Sequence, residues 1–228
     1  MSVGTPLPRL SDQGPVLAGA QVLPAPGPLA PFLPGSGLRR GSLVSLSGQG
    51  KTTLALSLLS APVAQGAWAA VVGLPELGVE AAAVMGVDLT RVALVPEPGP
   101  SWPNVLAVLL DSLDLVVVRP PRRPRPAEAR RLVARARAGR AVLCVLGGWP
   151  EAPDVALAAE TEAWVGLGRG SGWLRARRGR VVVTGRGSAG RPIAVPCWLP
   201  GPDGQLAARG PAGMAVAPEA PEAAPWAG

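Results

Sequence analysis

Residues 41–59 read GSLVSLSGQGKTTLALSLL, and this stretch decides the fold. Leu43 to Leu46 is a short apolar run of the kind that makes a buried strand. Gly48-Gln49-Gly50 is a glycine turn, and Lys51-Thr52-Thr53 opens an apolar run at helical spacing. Strand, glycine loop, Lys-Thr and helix is the layout of a phosphate-binding loop. In such a loop backbone N–H groups and a helix N-terminus surround phosphate oxygens, the lysine reaches the outer phosphates, and the threonine hydroxyl binds magnesium. Lys51 is the only lysine among 22 basic side chains, so a chain that uses arginine everywhere else keeps lysine here.

The loop is short. A full motif is G-x-x-x-x-G-K-[ST], and counting back from Gly50 puts Ser45, inside the strand, at the first glycine. The anion nest needs several consecutive inward N–H groups, which G-Q-G-K does not supply in the same way. The nucleotide-binding candidates Gly48, Gly50, Lys51, Thr52 and Thr53 are therefore read first as an inherited strand–turn–helix and second as a working site for ATP and magnesium.

Working outward, 228 residues suit one domain with ragged ends, and a hydrophobic fraction of 48% supplies a full core. The 30 glycines and 28 prolines predict many turns and unstructured margins. The arginine bias weakens any inference from basic clusters, so a net charge of +7 permits an acidic partner without establishing one. Two cysteines make no disulfide framework, and no signal peptide or span of about 20 apolar residues is visible, so the expectation is a cytoplasmic protein without membrane contact. With no histidine in the chain, a histidine-based hydrolytic triad is excluded.

In chain order, residues 1–32 read as a Pro/Gly-rich arm, loosely docked or disordered. Residues 33–204 read as the core domain, and residues 205–228 as a disordered Pro/Ala-rich tail. Strands are expected at 68–72, 92–95, 115–118 and 141–146, with helices at 79–85, 103–111 and 127–138. The run 115–118 has no polar face, which belongs to the middle of a parallel sheet. Alternation of strand and helix argues an α/β fold with a mostly parallel sheet flanked by helices. Beyond Gly147, strands at 163–167, 173–177, 180–184 and 193–198 with little helix between them predict antiparallel additions to that sheet.

The stretches LPGSGLRRGSLVSLSGQGKTTLALSLL, VVGLPELGVEAAAVMGVDLTRVALVPEPG and GRVVVTGRGSAGRPIAVPCWLPGPDG together resemble the RecA-like recombinase core from about Leu33 to Gly204. The resemblance puts Glu76 where the family keeps its water-activating glutamate. It also asks for a magnesium-positioning aspartate after Leu115–Val118, where this chain has Arg119, while Asp111 and Asp114 lie at the strand's other end. A polar phosphate sensor is replaced by Gly147-Gly148. An arginine cannot hold a metal, and phosphoryl transfer depends on the parts altered here. Within the RecA-like group the chain resembles ImuA-type accessory proteins of damage-induced mutagenesis. That resemblance implies an ImuB-like homologue of Y-family polymerases and an error-prone replicative-type polymerase as partners.

Two further features stand apart from the loop. Arg175, Arg177, Arg178 and Arg180 beside Trp173 form a candidate nucleic-acid surface, in which arginines grip phosphates and the indole stacks on a base; a solvated hairpin in an arginine-rich chain gives the same pattern. Trp226, in a tail with nothing local to bury it, is a candidate partner-docking anchor. The combined expectation is a non-hydrolysing RecA-like accessory protein of DNA repair and translesion synthesis. The alternatives are a nucleotide-binding ATPase or switch acting on DNA, and a single-stranded DNA-binding protein.

Overall fold

The computed structural model describes residues 21–167, 172–185 and 191–209. Eleven strands and four α-helices occur in these residues: β1 (Val22–Pro24), β2 (Gly37–Arg39), β3 (Leu43–Gly48), α1 (Lys51–Ala64), β4 (Ala69–Val72), α2 (Val79–Val84), β5 (Val92–Val95), α3 (Trp102–Ser112), β6 (Leu115–Val118), α4 (Pro126–Ala138), β7 (Val142–Leu146), β8 (Val155–Leu167), β9 (Gly172–Gly185), β10 (Ile193–Trp198) and β11 (Ala207–Ala208).

Nine strands form one sheet in the order β11-β10-β9-β8-β3-β7-β6-β4-β5, and β1 pairs with β2 separately. From β8 through β5 the neighbours are parallel; β9, β10 and β11 add antiparallel. The expected α/β class and its antiparallel C-terminal strands are thus observed.

Side-chain alternation sorts the core into two layers. Val44, Leu46, Ala69, Val71, Leu115, Val117, Val142 and Cys144 face α1 and α2. Ala70, Val72, Val116, Val118, Leu143 and Val145 face α3 and α4. Every residue of β4, β6 and β7 is buried, because helices cover both faces of these strands. Helix α4 shows why its sequence folds as it does. Ala129, Leu132, Val133 and Ala136 are its buried stripe, Glu128 caps its first turn, and Arg135 and Arg137 suit the negative end of its dipole.

Four expectations are corrected by the structure. The stretch assigned to the N-terminal arm enters the core within the described residues: Leu23 and Leu29 are fully buried and join Leu33 and Leu38 in the cluster around α1. Strand β8 begins at Val155, not Ala163, and its first five residues are the parallel neighbour of β3. The separate strands at 173–177 and 180–184 are one strand, β9. Gly179 lies inside it; a Cβ there would lie 2.1 Å from the Glu160 carbonyl oxygen, so glycine permits close approach of β8. The fold extends past residue 204, since β11 pairs with Cys197 and Trp198.

Candidate functional site

The carboxyl ends of parallel strands in an open α/β sheet share one edge, and loops there form the site. This edge carries Gly48–Gly50 after β3, Gly73–Glu76 after β4, Arg119 after β6 and Gly147-Gly148 after β7. Gly48 has φ +83°, and a Cβ on it would lie 2.1 Å from the Ala159 carbonyl oxygen, so the glycine lets β8 run against the loop. Gly50 (φ +99°) is the N-cap of α1, with no side chain capping that end. Lys51, Thr52 and Thr53 form the first turn of α1 and are half-buried. The positive end of a 14-residue helix therefore faces the loop, as the sequence leads one to expect.

Arg119 takes up Glu76. Its two terminal nitrogens donate one to each carboxylate oxygen, Nη2 to Oε2 at 2.7 Å, and its Nε donates to the Gly73 carbonyl at 2.9 Å. The backbone supports this arrangement: Arg119 N–H donates to Val72 O at 2.9 Å, and a Cβ on Gly73 would meet Arg119 O at 2.1 Å. The guanidinium holds the Glu76 carboxyl below its ordinary range, chiefly by hydrogen bonding, and the carboxylate raises the Arg119 pKa in return. Both groups remain partly open to solvent.

The two aspartates before β6 are engaged elsewhere. Asp111 receives Arg135 at 2.6 Å on the surface of α3 and α4. Asp114, fully buried, accepts from Arg40 Nη1 at 2.6 Å and from the Trp68 N–H at 3.0 Å, tying the start of β6 to the start of β4. The end of β6 consequently offers a guanidinium where a magnesium site of this kind needs a carboxylate. Together with the shortened loop, these residues do not fit a magnesium–nucleotide complex.

The four arginines of β9 separate into three environments. Arg177 is 8% exposed; its guanidinium packs against Gly50, so that a Cβ there would lie 2.0 Å from Nη2. Its Nε donates to the Leu199 carbonyl, its CZ lies 5.3 Å from the Trp164 ring centroid, and Nη2 is buried without a hydrogen-bond partner. Burial lowers the Arg177 pKa. Arg178 pairs with Glu162 at 3.6 Å and Arg180 with Glu160 at 2.6 Å, in cross-strand contacts. Arg175 forms no ion pair with a described residue and lies 5.9 Å from the Trp173 ring centroid. The contact of Arg177 with Gly50 had no signal in the sequence, because 127 positions separate them and only the order β9-β8-β3 brings them together. Trp226 lies outside the described residues.

A groove of about 530 Å³ runs beside the first turn of α1, between α2 and the far end of β8 and β9. Leu56, Leu77, Val84, Met85 and Trp164 line it, with Glu76 and Arg175 among its polar groups. No helix among the described residues is long and apolar enough to cross a membrane.

Comparison with known proteins places this geometry. The model of the MT3502 N-terminal domain family matches residues 31–151. The chain is 39% identical over 173 residues to the uncharacterized protein Rv3395c of Mycobacterium tuberculosis, spanning 71% of this chain and 80% of that protein. Among solved structures it is similar to the RadB recombinase, with a TM-score of 0.55 and 18% identity over 75% of this chain and 92% of that one. The fold is RecA-like.

Proposed function

The chain belongs to the family of the MT3502 N-terminal domain, and from that premise we propose that it is a non-hydrolysing RecA-like accessory protein of DNA repair. Its proposed role is to bind an ImuB-like homologue of Y-family polymerases during translesion synthesis, alongside an error-prone replicative-type polymerase. The observation that carries the non-hydrolysing part is the Arg119–Glu76 pair. A general base must be free to accept a proton from water, and here the carboxylate that the resemblance assigns to that task is held by both terminal nitrogens of an arginine. That arginine stands where magnesium would need an oxygen ligand. The partner rests on the sequence resemblance alone.

A second reading, a nucleotide-gated switch, draws on one observation. Arg177 Nη2 is a buried donor without a partner beside Gly50 and the uncapped end of α1, a place where an anion is favoured. Calorimetry with ATP and ADP, with and without magnesium, separates the two readings. No heat at near-millimolar nucleotide, together with co-purification of an ImuB-like partner, supports the scaffold. Saturable binding that Lys51→Ala removes supports the switch. Purification that yields no ImuB-like partner overturns the proposed role.

A further inference from the structure

We propose that the free end of the β8–β9 ribbon binds single-stranded nucleic acid, with unpaired bases stacking on Trp173 and Trp164 and Arg175 engaging the backbone. The inference stands on the ribbon itself and requires neither the proposed protein partner nor the phosphate loop.

β8 and β9 outrun their neighbours. β3 pairs only with residues 155–159 of β8, and β10 only with residues 178–183 of β9. Beyond those limits the two strands continue as a ribbon. There Trp164 is 44% exposed, Val165 39%, Trp173 72% and Leu174 49%, so four of the nine large exposed hydrophobic side chains among the described residues share one short ribbon. Apolar surface concentrated in this way marks a contact site. The strand pairing shifts opposite Gly166, where a Cβ would come within 2.3 Å of the Trp173 carbonyl oxygen. That glycine permits the backbone at Trp173 to approach β8 closely where the pairing is irregular.

Charge decides what the contact is. Lower on the ribbon, Arg180 is matched by Glu160, while Arg178 and Arg209 share Glu162. At the exposed end, Arg175 lies over Trp173 and Arg177 over Trp164, and neither forms an ion pair with a described residue. An apolar protein face would bury the charge of Arg175 unmatched. A ligand that pairs phosphate with flat π-faces satisfies both groups at once, and a single strand presents its bases where a duplex hides them. Arg175, rather than Arg178 or Arg180, is the basic residue assigned to this surface.

The test is fluorescence anisotropy of labelled 20-mers of deoxythymidylate and of uridylate with the full chain at low and moderate salt, read beside tryptophan quenching. A 20-base-pair DNA duplex serves as comparison. The expected result is quenching and salt-sensitive binding to at least one single strand, weaker binding to duplex, and a loss of about fivefold or more in Trp173→Ala. Arg175→Ala weakens binding, and Arg180→Ala leaves it unchanged. Trp173 is exposed, so its replacement leaves the fold intact. Absence of binding at low salt, equal affinity for duplex, or an unchanged Trp173→Ala overturns the proposal. Self-association lost in Trp173→Ala without nucleic-acid binding also overturns it, assigning the ribbon to a second copy. None of these outcomes bears on co-purification with an ImuB-like protein.

Discussion

Arg119 and Glu76 close on each other through two parallel hydrogen bonds, joining the ends of β6 and β4 on the edge where a RecA-like ATPase places its catalytic apparatus. The two charges of the pair are matched to each other, at the position the resemblance assigns to a water-activating glutamate. Arg119→Ala is expected to return the Glu76 pKa toward its ordinary range without producing ATP hydrolysis, because the loop is still short. Side-chain carboxyl NMR and a phosphate-release assay check the two halves.

Asp114 is a structural bolt. It is fully buried, and its carboxylate serves Arg40 and the Trp68 N–H together. Asp114→Ala leaves Arg40 buried beside no counter-charge, and a destabilisation of about 3–5 kcal/mol is expected. Urea unfolding of the variant measures it.

Glu128 sets a pH dependence. Hydrogen bonds from the Arg122 guanidinium and then from the Arg125 N–H lower its pKa from 4.5 to about 2. A pKa depressed by folding means stability that is fully present above the unfolded value and lost as pH falls through the folded one. The relevant window therefore runs from about 4.5 down to about 2. Glu128→Gln is expected to flatten stability across that window, as read by thermal unfolding at stepped pH.

Both cysteines are expected to be inert. Burial pushes the Cys144 thiol up to about 12 and Cys197 up to about 11, so almost no thiolate exists at neutral pH. A chromogenic disulfide reagent should label neither in the native protein and both after unfolding in guanidinium.

Leu23 tests the corrected N-terminal boundary. Its side chain is fully buried in the α1 cluster, so Leu23→Ala is expected to cost about 2–5 kcal/mol. A chain starting at residue 33 should likewise be less stable than the whole, by the same denaturant titration.

Some of this was legible beforehand because it is local. The run Leu43–Leu46, the helix from Lys51 and the all-apolar run Leu115–Val118 declare themselves by periodicity and by the absence of a polar face. β1 was not, since three residues ending in a proline carry no period, and it is their pairing with β2 and packing on α1 that order them. β8 was read short because Ala156, Ala158 and Ala159 lack strand character until β3 and β9 pair with them. β9 was read as two strands for the same reason: the close approach that Gly179 permits exists only once β8 lies beside it.

By itself, then, the amino-acid sequence determined the alternation of strand and helix, the buried parallel centre and the shortened glycine loop, all products of residue preferences over a few positions. It also placed an arginine at the end of β6. Only the tertiary structure decided that Arg119 holds Glu76, that Arg177 lies against Gly50, and that Trp164 and Trp173 stand exposed on one ribbon. Those relationships join residues 9 to 127 positions apart. They are set by strand order and by which face of a strand is covered, and no local preference encodes either.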